Sequence, residues 1–506
     1  MNFAGDVVDR HPPSSLALLE LGRDGSRREW SYGEVSERSS RLAGALAARG
    51  IGRGDVVMTL VGNRAEWVFA MLACFRVGAV VLPCNEQLRA RDLRLRLDLA
   101  RPSLIVADER DRSELERAGP GCPVVLIPDE ALFAAEPAPI VELGAGDPCL
   151  ITFTSGTAGE PKAVVHGQRY LAGQRLQARR WLGARAGELV WCTAASGWSK
   201  SARNVFIAPW LSGAAAMLHD ARFDPAERLA LIARERVSVL CMAPTEYRVI
   251  AKRATLRGSE SLRTMVAAGE ALNPEVLHTW REAMGLEIRD GYGQTETGQL
   301  TGAPAGERAR PGSMGPALPG VELALERHEL TVDPASVPTF FLGYLGEQVR
   351  READGTWTIE DRQAGGRWRT GDLVREDEDG WLHFEGRNDD VIVSAGYRIG
   401  PFEVESALLS HPAVAEAAAV AAPDEERGAV VRAVVVLADG AGAAPGLVRE
   451  LQDHVKRMTA PYKYPRIIDF ADELPKTSSG KIKRAELRAH PPAPPRSPPR
   501  SAAGSR

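Results

Sequence analysis

The sequence has no uninterrupted apolar run of about 18 residues, the length that a membrane-spanning helix needs. Its N-terminus, MNFAGDVVDRHPPS, contains acidic residues and no apolar segment, so it does not resemble a secretory signal. The formal net charge is only -4, which gives no basis for a nucleic-acid-binding surface. We therefore expect a cytoplasmic protein with no integral membrane span and no nucleic-acid partner.

Cysteine is scarce, and no two cysteines form a CxxC pair. The six cysteines are scattered through apolar stretches, at Cys74, Cys84, Cys122, Cys149, Cys192 and Cys241. This distribution predicts reduced core residues and indicates neither a zinc site nor a disulfide framework.

At 506 residues the chain is longer than a single hydrophobic core supports, so we expect more than one domain. From about residue 55 to residue 290, apolar runs alternate with helix-like segments, which is typical of parallel sheets covered by helices. The predicted strands, apolar enough to be buried on both faces, are 56–61, 79–83, 103–107, 149–154, 188–193 and 237–242. The predicted helices between them are 64–77, 89–100, 224–234 and 274–284.

The pattern changes twice toward the C-terminus. Residues 310–385 are rich in Gly and Pro, with short predicted strands at 321–326, 357–360 and 381–385. After residue 388 an α+β pattern begins, with predicted helices 401–410 and 447–458 and predicted strands 413–420 and 430–437. The expected fold class is α/β: a large N-terminal domain (1–387) of parallel sheets layered with helices plus a β-rich subdomain, and a small mobile α+β C-terminal domain (388–489). We predict that 490–506 is a disordered proline-rich tail.

Residues 150–162, LITFTSGTAGEPK, form an apolar strand that runs into a loop dense in hydroxyl groups and glycines. Glycines let backbone N–H groups approach an anion closely, and the final lysine, Lys162, adds a compact positive charge. The GxxxxGK[ST] order of a Walker A loop is absent. Taken alone, the loop fits either a phosphate-binding nest or a solvated connector.

Further motifs follow in chain order: DGYGQTE at 290–296, RTGD at 369–372, GR at 386–387 and PKTSSGK at 475–481. Singly, each has an ordinary explanation. A carboxylate such as Glu270 or Asp372 fits a surface residue or a helix cap. Tyr292 fits a core aromatic, and Lys481 a solvated lysine.

Together, TSGTAGEPK, DGYGQTETG, RTGD, GRNDD and PKTSSGK resemble the adenylate-forming superfamily, which includes acyl-CoA synthetases, adenylation domains of peptide synthetases, and luciferases. The resemblance extends over roughly residues 25–488. The segments SAGYRIGPFEVES at 394–406 and APYKYPR at 460–466 look most like the medium-chain acyl-CoA synthetase branch. Such enzymes join a carboxylate to the α-phosphate of ATP and then pass the acyl group to a thiol.

The resemblance implies a nucleotide site in residues 1–387. The β- and γ-phosphates would be held by Thr154, Ser155, Gly156, Thr157, Ala158, Gly159, Glu160, Pro161 and Lys162. Adenine would be bordered by Gly269, Glu270, Asp290 and Tyr292. Gly291, Gly293, Gln294, Thr295 and Lys481 would also belong to the ATP site. Asp372 would accept both ribose hydroxyls, with Arg387 beside it. Glu296, with Thr154, would bind Mg²⁺.

The implied catalytic residues are Lys481, Glu296 and Thr295. The Lys481 ammonium would contact both the attacking carboxylate and the α-phosphate, which positions the reacting groups and offsets developing charge. For the second step, coenzyme A would be bound by Gln87, Ala395, Gly396, Tyr397, Arg427, Lys456, Tyr464, Pro465 and Arg466. The alternative is that the basic residues among them only form a charged, solvent-exposed face of a small domain.

Because Lys481 and most of the CoA-side residues belong to the C-terminal domain, one orientation of that domain cannot serve both steps. The family rotates it between steps, and Asp389 matches the hinge position. The acyl group would be lined by Trp198, Thr295 and Arg398, with a core tryptophan as the alternative for Trp198. Residues 195–210 contain no aspartate to bind an amino-acid ammonium, which counts against a peptide synthetase domain.

The expected function is ATP- and Mg²⁺-dependent ligation of a medium-chain, branched or aromatic carboxylic acid to coenzyme A. Two alternatives stay open: transfer of the acyl group to a carrier protein, and nucleotide binding without catalysis. The sequence also leaves open whether the chain forms a homo-oligomer. Ala158 and Ala163 depart from the family pattern. The hydroxyl missing at Ala158 should weaken nucleotide binding by about 0.5–1.5 kcal/mol.

Overall fold

The structure, a computed structural model, describes residues 2–154, 160–270, 272, 274–360, 366–395, 397–438, 440–443, 445–477 and 481–489. Predictions for Ser155, Gly156, Thr157, Ala158, Gly159, Gly396 and the tail 490–506 lie outside the described residues.

Two seven-stranded sheets form the framework of the first 345 residues. Sheet A runs in the order Ile288–Gly291, Thr264–Ala268, Val239–Met242, Leu189–Cys192, Ala215–His219, Leu16–Leu21 and Arg27–Ser31. All its neighbouring strands are parallel except the last pair. Sheet B runs in the order Gly343–Tyr344, Ala163–Gly167, Pro148–Phe153, Val80–Cys84, Val56–Leu60, Leu104–Asp108 and Val124–Ile127. It is parallel from Pro148–Phe153 onward and antiparallel at its first two pairs.

The helices that cover these sheets are Phe3–Asp6, Tyr32–Ala47, Ala65–Val77, Ala90–Ala100, Arg112–Ala118, Arg169–Gln177, Ala208–Leu211, Pro225–Arg234, Pro244–Arg253 and Pro274–Met284. Local sequence sets several of their ends. A capping box between Ser31 and Glu34 starts one helix, and Gly78 ends another with a left-handed φ of 77°.

The main core lies between the two sheets. Helix Ala65–Val77 is buried at every position except Glu66, and it packs with Phe206 and Trp210 against strands of both sheets. Separate clusters cover the outer faces of sheet A and sheet B. Burial on both faces explains why the central strands are continuously apolar, as the sequence predicted.

A β-rich part follows. Its antiparallel four-stranded sheet runs Leu323–Glu326, Glu329–Val332, Trp368–Glu376 and Leu382–Arg387. Three two-stranded ribbons accompany this region, formed by Gly293–Gln294 with Gly298–Gln299, Val349–Arg351 with Trp357–Ile359, and Ile392–Ser394 with Tyr397–Ile399.

The C-terminal part has a core of its own. Strand Val414–Asp424 pairs antiparallel with Gly428–Leu437, which pairs in parallel with Ile467–Phe470. Helices Pro401–Leu409 and Pro445–Met458 contribute Val404, Leu408, Leu451 and Val455 to the cluster beneath this sheet, and helix Arg484–Ala489 follows. A separate core is what an independent domain requires. The boundary at residue 388 stays a prediction.

The α/β fold class is confirmed, and each predicted strand and helix is present with small shifts at its ends. The prediction omitted several strands, among them Ala163–Gly167 and Thr264–Ala268. Five of the six cysteines are buried, Cys122 is half-buried, and all are free thiols. Among the described residues, no helix combines the length and apolarity that crossing a membrane requires.

Candidate active site

The carboxyl ends of two neighbouring parallel strands bring the first predicted residues together. Thr264–Ala268 and Ile288–Gly291 pair in parallel, with Ala268 opposite Gly291. Gly269 and Glu270 leave the first strand where Tyr292 leaves the second. Such an edge is where open α/β sheets bind ligands. The Thr245 hydroxyl donates to Glu270 Oε2 at 2.8 Å.

Asp372 is the centre of a buried polar cluster. The carboxylate is only 4% exposed. Its Oδ2 accepts hydrogen bonds from the Tyr292 hydroxyl and from Gln294 Nε2, the latter at 2.9 Å. Its Oδ1 accepts from Arg387 Nη1 at 3.1 Å. Burial raises the pKa of Asp372, although Arg387, Tyr292 and Gln294 all favour the ionised form. The predicted ribose-binding residues therefore meet in one place.

Asp290 differs from Asp372 because no cation balances its burial by direct contact. It is 8% exposed, and Gly291 N–H donates to its Oδ1 at 2.8 Å. Burial raises its pKa to about 8, opposed by the N–H groups of Gly291 and Leu272 and by Lys200. Asp290 is therefore mostly protonated at neutral pH and can donate as well as accept a hydrogen bond.

This raised pKa predicts a pH-dependent stability. Between the ordinary value of 3.8 and about 8, the folded state holds a proton that the unfolded state has released, so the free energy of unfolding falls as pH rises. We expect Asp290→Asn, which carries no titrating group, to gain stability relative to the unsubstituted protein between pH 5 and pH 8. Urea unfolding of both proteins at the two pH values measures this; equal pH dependence would contradict it.

Tyr344 links Glu296 to the phosphate loop. Its hydroxyl donates to Glu296 Oε1 at 2.8 Å, and Lys162 Nζ lies 4.5 Å from the centre of its ring. Lys162 also pairs with Glu347 at 3.0 Å. The loop base is closed by two hydrogen bonds: Thr154 N–H donates to Lys162 O, and Lys162 N–H donates to Thr154 Oγ1, both at 2.9 Å. Lys162, Glu296 and Thr154 thus surround one region.

Glu296 is suited to a magnesium ion held mainly by phosphate. No group of three or more His, Cys, Asp or Glu side chains within the described ranges could form an all-protein metal cage. Mg²⁺ usually takes one or two carboxylates and completes its octahedron with phosphate oxygens and water. A single half-buried carboxylate beside the phosphate loop fits that preference.

Lys481 reaches this site from the C-terminal part of the chain. Its backbone is fixed against Thr477 by two hydrogen bonds of 2.8 and 3.2 Å. Burial and the charge of Lys200 lower the pKa of its ammonium, while Glu270 and Asp372 oppose the shift. The Lys481 ammonium is therefore within electrostatic range of predicted adenine and ribose residues.

Sequence analysis missed two residues here. Lys200 Nζ donates to Ala268 O at 2.8 Å, directly before Gly269, and its charge acts on both Lys481 and Asp290. Tyr344 comes from a two-residue edge strand with no motif around it. Lys200 lies inside the segment that contains Trp198, so its position was a usable signal. Tyr344 offered none.

The predicted CoA-side residues form separate groups. Lys456 Nζ and the Arg466 guanidinium lie 4.4 and 5.2 Å from the centre of the Tyr464 ring, beside Pro465. Ala395 N–H donates to Arg427 O at 3.0 Å. Tyr397 is half exposed and stacks on Tyr462 at 4.4 Å. Gln87 is exposed beyond strand Val80–Cys84, in the N-terminal part.

The residues predicted to line the acyl site and to form the hinge make fewer contacts than the nucleotide-site residues. Trp198 is half-buried, and its carbonyl accepts from Ser201 N–H at 2.9 Å. The backbone of Thr295 hydrogen-bonds to the buried ring of His166. The side chain of Arg398 lies outside the described part of the structure. Asp389 is exposed, 3.5 Å from Arg387 Nε, at the end of strand Leu382–Arg387.

The nucleotide-site cluster and the two-sheet framework define the class of adenylate-forming enzymes. The model of the AMP-binding enzyme family matches residues 6–343, and that of the AMP-binding enzyme C-terminal domain matches residues 403–481. The chain belongs to this family, as its motifs predicted.

Its relatives narrow the class to acyl-CoA synthetases. The chain is 39% identical over 501 residues to the uncharacterized acyl–CoA ligase YtcI of Bacillus subtilis (strain 168), covering 93% of this chain and 92% of the relative. It is 38% identical over 537 residues to the mitochondrial acyl-coenzyme A synthetase ACSM4 of Homo sapiens, covering 96% and 90%. The predicted likeness to the medium-chain branch is thereby confirmed.

Solved structures share the fold. The anthranilate CoA ligase AuaEII in complex with anthranoyl-AMP matches with a TM-score of 0.85 and 27% identity, over 97% of each chain. A benzoate CoA ligase from Burkholderia xenovorans LB400 matches with a TM-score of 0.84 and 27% identity, over 96% of this chain and all of that one.

Proposed function

We propose that the chain is an ATP- and Mg²⁺-dependent ligase that joins a medium-chain, branched or aromatic carboxylic acid to coenzyme A. The observation that supports this proposal most directly is that Lys481 lies within electrostatic range of Glu270 and Asp372. A lysine from the C-terminal part that meets the predicted nucleotide residues is arranged for adenylate formation. A cytoplasmic location stays a prediction.

In the first step, the substrate carboxylate attacks the α-phosphorus of ATP and pyrophosphate leaves. Asp372 accepts the ribose hydroxyls, which exchange with its present donors Tyr292 and Gln294. Lys162 holds the departing phosphates. Lys481 contacts the attacking oxygen and the α-phosphate, so that charge gathering in the transition state meets a preorganised cation. Glu296, with Thr154, would hold Mg²⁺, which neutralises phosphate charge when bound.

In the second step, the CoA thiol attacks the acyl-adenylate carbonyl and AMP leaves. We assign CoA recognition to two groups in the C-terminal part: Lys456, Tyr464, Pro465 and Arg466, and the residues Ala395, Gly396 and Tyr397 with Arg427. Gln87 would join them from the N-terminal domain. These groups do not include Lys481, so the C-terminal domain (388–489) must turn relative to residues 1–387 between the steps, with Asp389 as the hinge.

Pyrophosphate release over a panel of carboxylic acids, with and without CoA, tests this proposal. Release with acyl-CoA formation supports the ligase. Release without thioester formation from free CoA would favour transfer to a carrier protein. No release on any acid would favour a nucleotide-binding protein without catalysis.

The phosphate loop gives a separate prediction. Lys162→Met removes one charge-assisted contact to phosphate, worth about 1.5–3 kcal/mol, so we expect kcat/KM for ATP to fall about 10- to 100-fold. Steady-state pyrophosphate release at varied ATP measures it. Glu347→Gln, which removes only the present partner of Lys162, is the control and should leave kcat/KM within about threefold of the original value, well inside 1 kcal/mol. Equal losses in both variants would contradict the assignment.

A further inference from the structure

Arg203 is a buried cation close to the predicted acyl site. It starts the π-helical turn Arg203–Ile207, five residues after Trp198, and is only 4% exposed. π-helical turns are rare and often occur at functional sites. The next residue, Asn204, is fixed by Gln177, whose Nε2 donates to Asn204 Oδ1 at 2.9 Å.

The guanidinium of Arg203 has no full set of partners. Its Nε and Nη1 atoms are buried without a hydrogen-bond acceptor, and within the described ranges it forms no ion pair with a carboxylate. The guanidinium does hydrogen-bond to the side chain of Tyr170, which is a neutral partner. A buried charge with no ion-pair partner and with donor groups left unpaired is strongly unfavourable, so natural proteins rarely keep one without a function. An incoming anion would remove this penalty.

Two uncharged side chains near Arg203 lie between it and the predicted acyl residue Thr295, and neither can balance its positive charge. The rings of His166 and Tyr170 pack against each other, with their centres 3.9 Å apart. The positive charge of Arg203 shifts the pKa of both side chains. Burial, with Arg203, lowers the pKa of His166 to about 3, so His166 is neutral. The same imidazole hydrogen-bonds to the backbone of Thr295, which adjoins Glu296. One neutral ring therefore separates the cation from the predicted acyl residue.

We propose that the acid substrate carries a second anionic group, a carboxylate at its far end, and that Arg203 binds it. This inference rests on the proposed ligase function and selects dicarboxylic acids within its substrate class. Arg203 supplies both the charge and the free N–H donors that such a carboxylate requires. The reacting carboxylate would lie at Lys481, and the second one at Arg203.

Matched acid pairs test the inference. Hexanedioate and hexanoate have equal chain length, and benzene-1,4-dicarboxylate and benzoate share one ring. We expect the dicarboxylic member of at least one pair to show kcat/KM for pyrophosphate release at least tenfold higher. Arg203→Met should abolish that preference by lowering the dicarboxylic rate while leaving or raising the monocarboxylic rate.

Arg76→Met is the matched control, because Arg76 is similarly buried, at 6% exposed, but its guanidinium pairs with Asp9 at 2.9 Å. It should leave the ratio of the two rates unchanged. If Arg203→Met does not fold, the unsubstituted protein still tests the inference. In the presence of ATP, a dicarboxylic acid should raise the Tm of this protein more than the matched monocarboxylic acid does.

Equal rates and equal Tm shifts within every pair would overturn the role of Arg203 while the ligase function stands. A fall of both rates by the same factor in Arg203→Met would show a structural arginine, with the same consequence. No pyrophosphate release on any acid would overturn the ligase function and this inference with it.

Discussion

Lys481→Ala should lose adenylate formation while it still converts a supplied acyl-adenylate and CoA to the thioester. The ammonium is preorganised beside Glu270 and Asp372, and removing one such group from the transition state typically costs a factor of about 10² to 10³ in kcat. Thioester formation should not need this ammonium, because we expect the C-terminal part, and Lys481 with it, to have turned away from the nucleotide residues in that step. Pyrophosphate release measures the first step, and acyl-CoA formation from synthetic adenylate measures the second.

Lys483→Ala is the control for that prediction. Lys483 lies two residues further on and is about half exposed, and its ammonium lies 3.7 Å from Glu486 Oε2. Both half-reactions should survive this change within about threefold, the scale of a surface ion pair. If Lys481→Ala forms adenylate at the original rate, the lysine has no role in the first step. If it loses both steps equally, its role is structural.

The sequence was sufficient for the fold class because burial on both faces leaves a strong signal. Strands such as Val80–Cys84 are apolar at every position, and the helix before this strand, Ala65–Val77, ends at a glycine, Gly78. Strand Thr264–Ala268 is also fully buried, yet it was not predicted. Its short run between polar segments carries no period that separates strand from helix.

The residues of the candidate site also fall into two groups, those that the sequence predicted and those that it did not. Residues inside motifs, such as Asp372, Tyr292 and Arg387, were predicted and do meet. Tyr344 and Arg203 were not, because their neighbours in the fold are distant in sequence: Tyr344 hydrogen-bonds to Glu296, and the charge of Arg203 acts on His166. Whether a particular arginine is buried depends on the folded structure and cannot be read from its residue type. An arginine that reads as an ordinary helix residue becomes significant only when its nitrogens are buried without partners.

We predict that the chain bends at Asp389, because the residues on either side of it are held by different parts of the structure. Before it, strand Leu382–Arg387 is held by pairing to Trp368–Glu376, and Asn388 N–H still donates to Gly371 O at 2.8 Å. After it, Asp390 pairs with Arg488 at 2.7 Å, within the C-terminal part. Asp389 itself is exposed, and its ion pair to Arg387 is long at 3.5 Å. Rotation at this residue would leave the contacts within each part in place, but it would change the two hydrogen bonds that span it, which Asp390 N–H and Val391 N–H donate to Arg387 O at 3.0 and 3.1 Å.

Asp389→Pro should therefore separate the two half-reactions. Proline fixes φ near about −65° and restricts the preceding residue, so the C-terminal part could occupy one orientation only. Since Lys481 already lies at the nucleotide residues, we expect adenylate formation to persist while thioester formation from supplied adenylate falls by about 100-fold or more, as for a blocked conformational step. Asp389→Ala, which keeps backbone freedom, should retain both steps. Equal residual rates of the two half-reactions in Asp389→Pro would contradict the hinge assignment, because a conformational lock cannot slow both orientations alike.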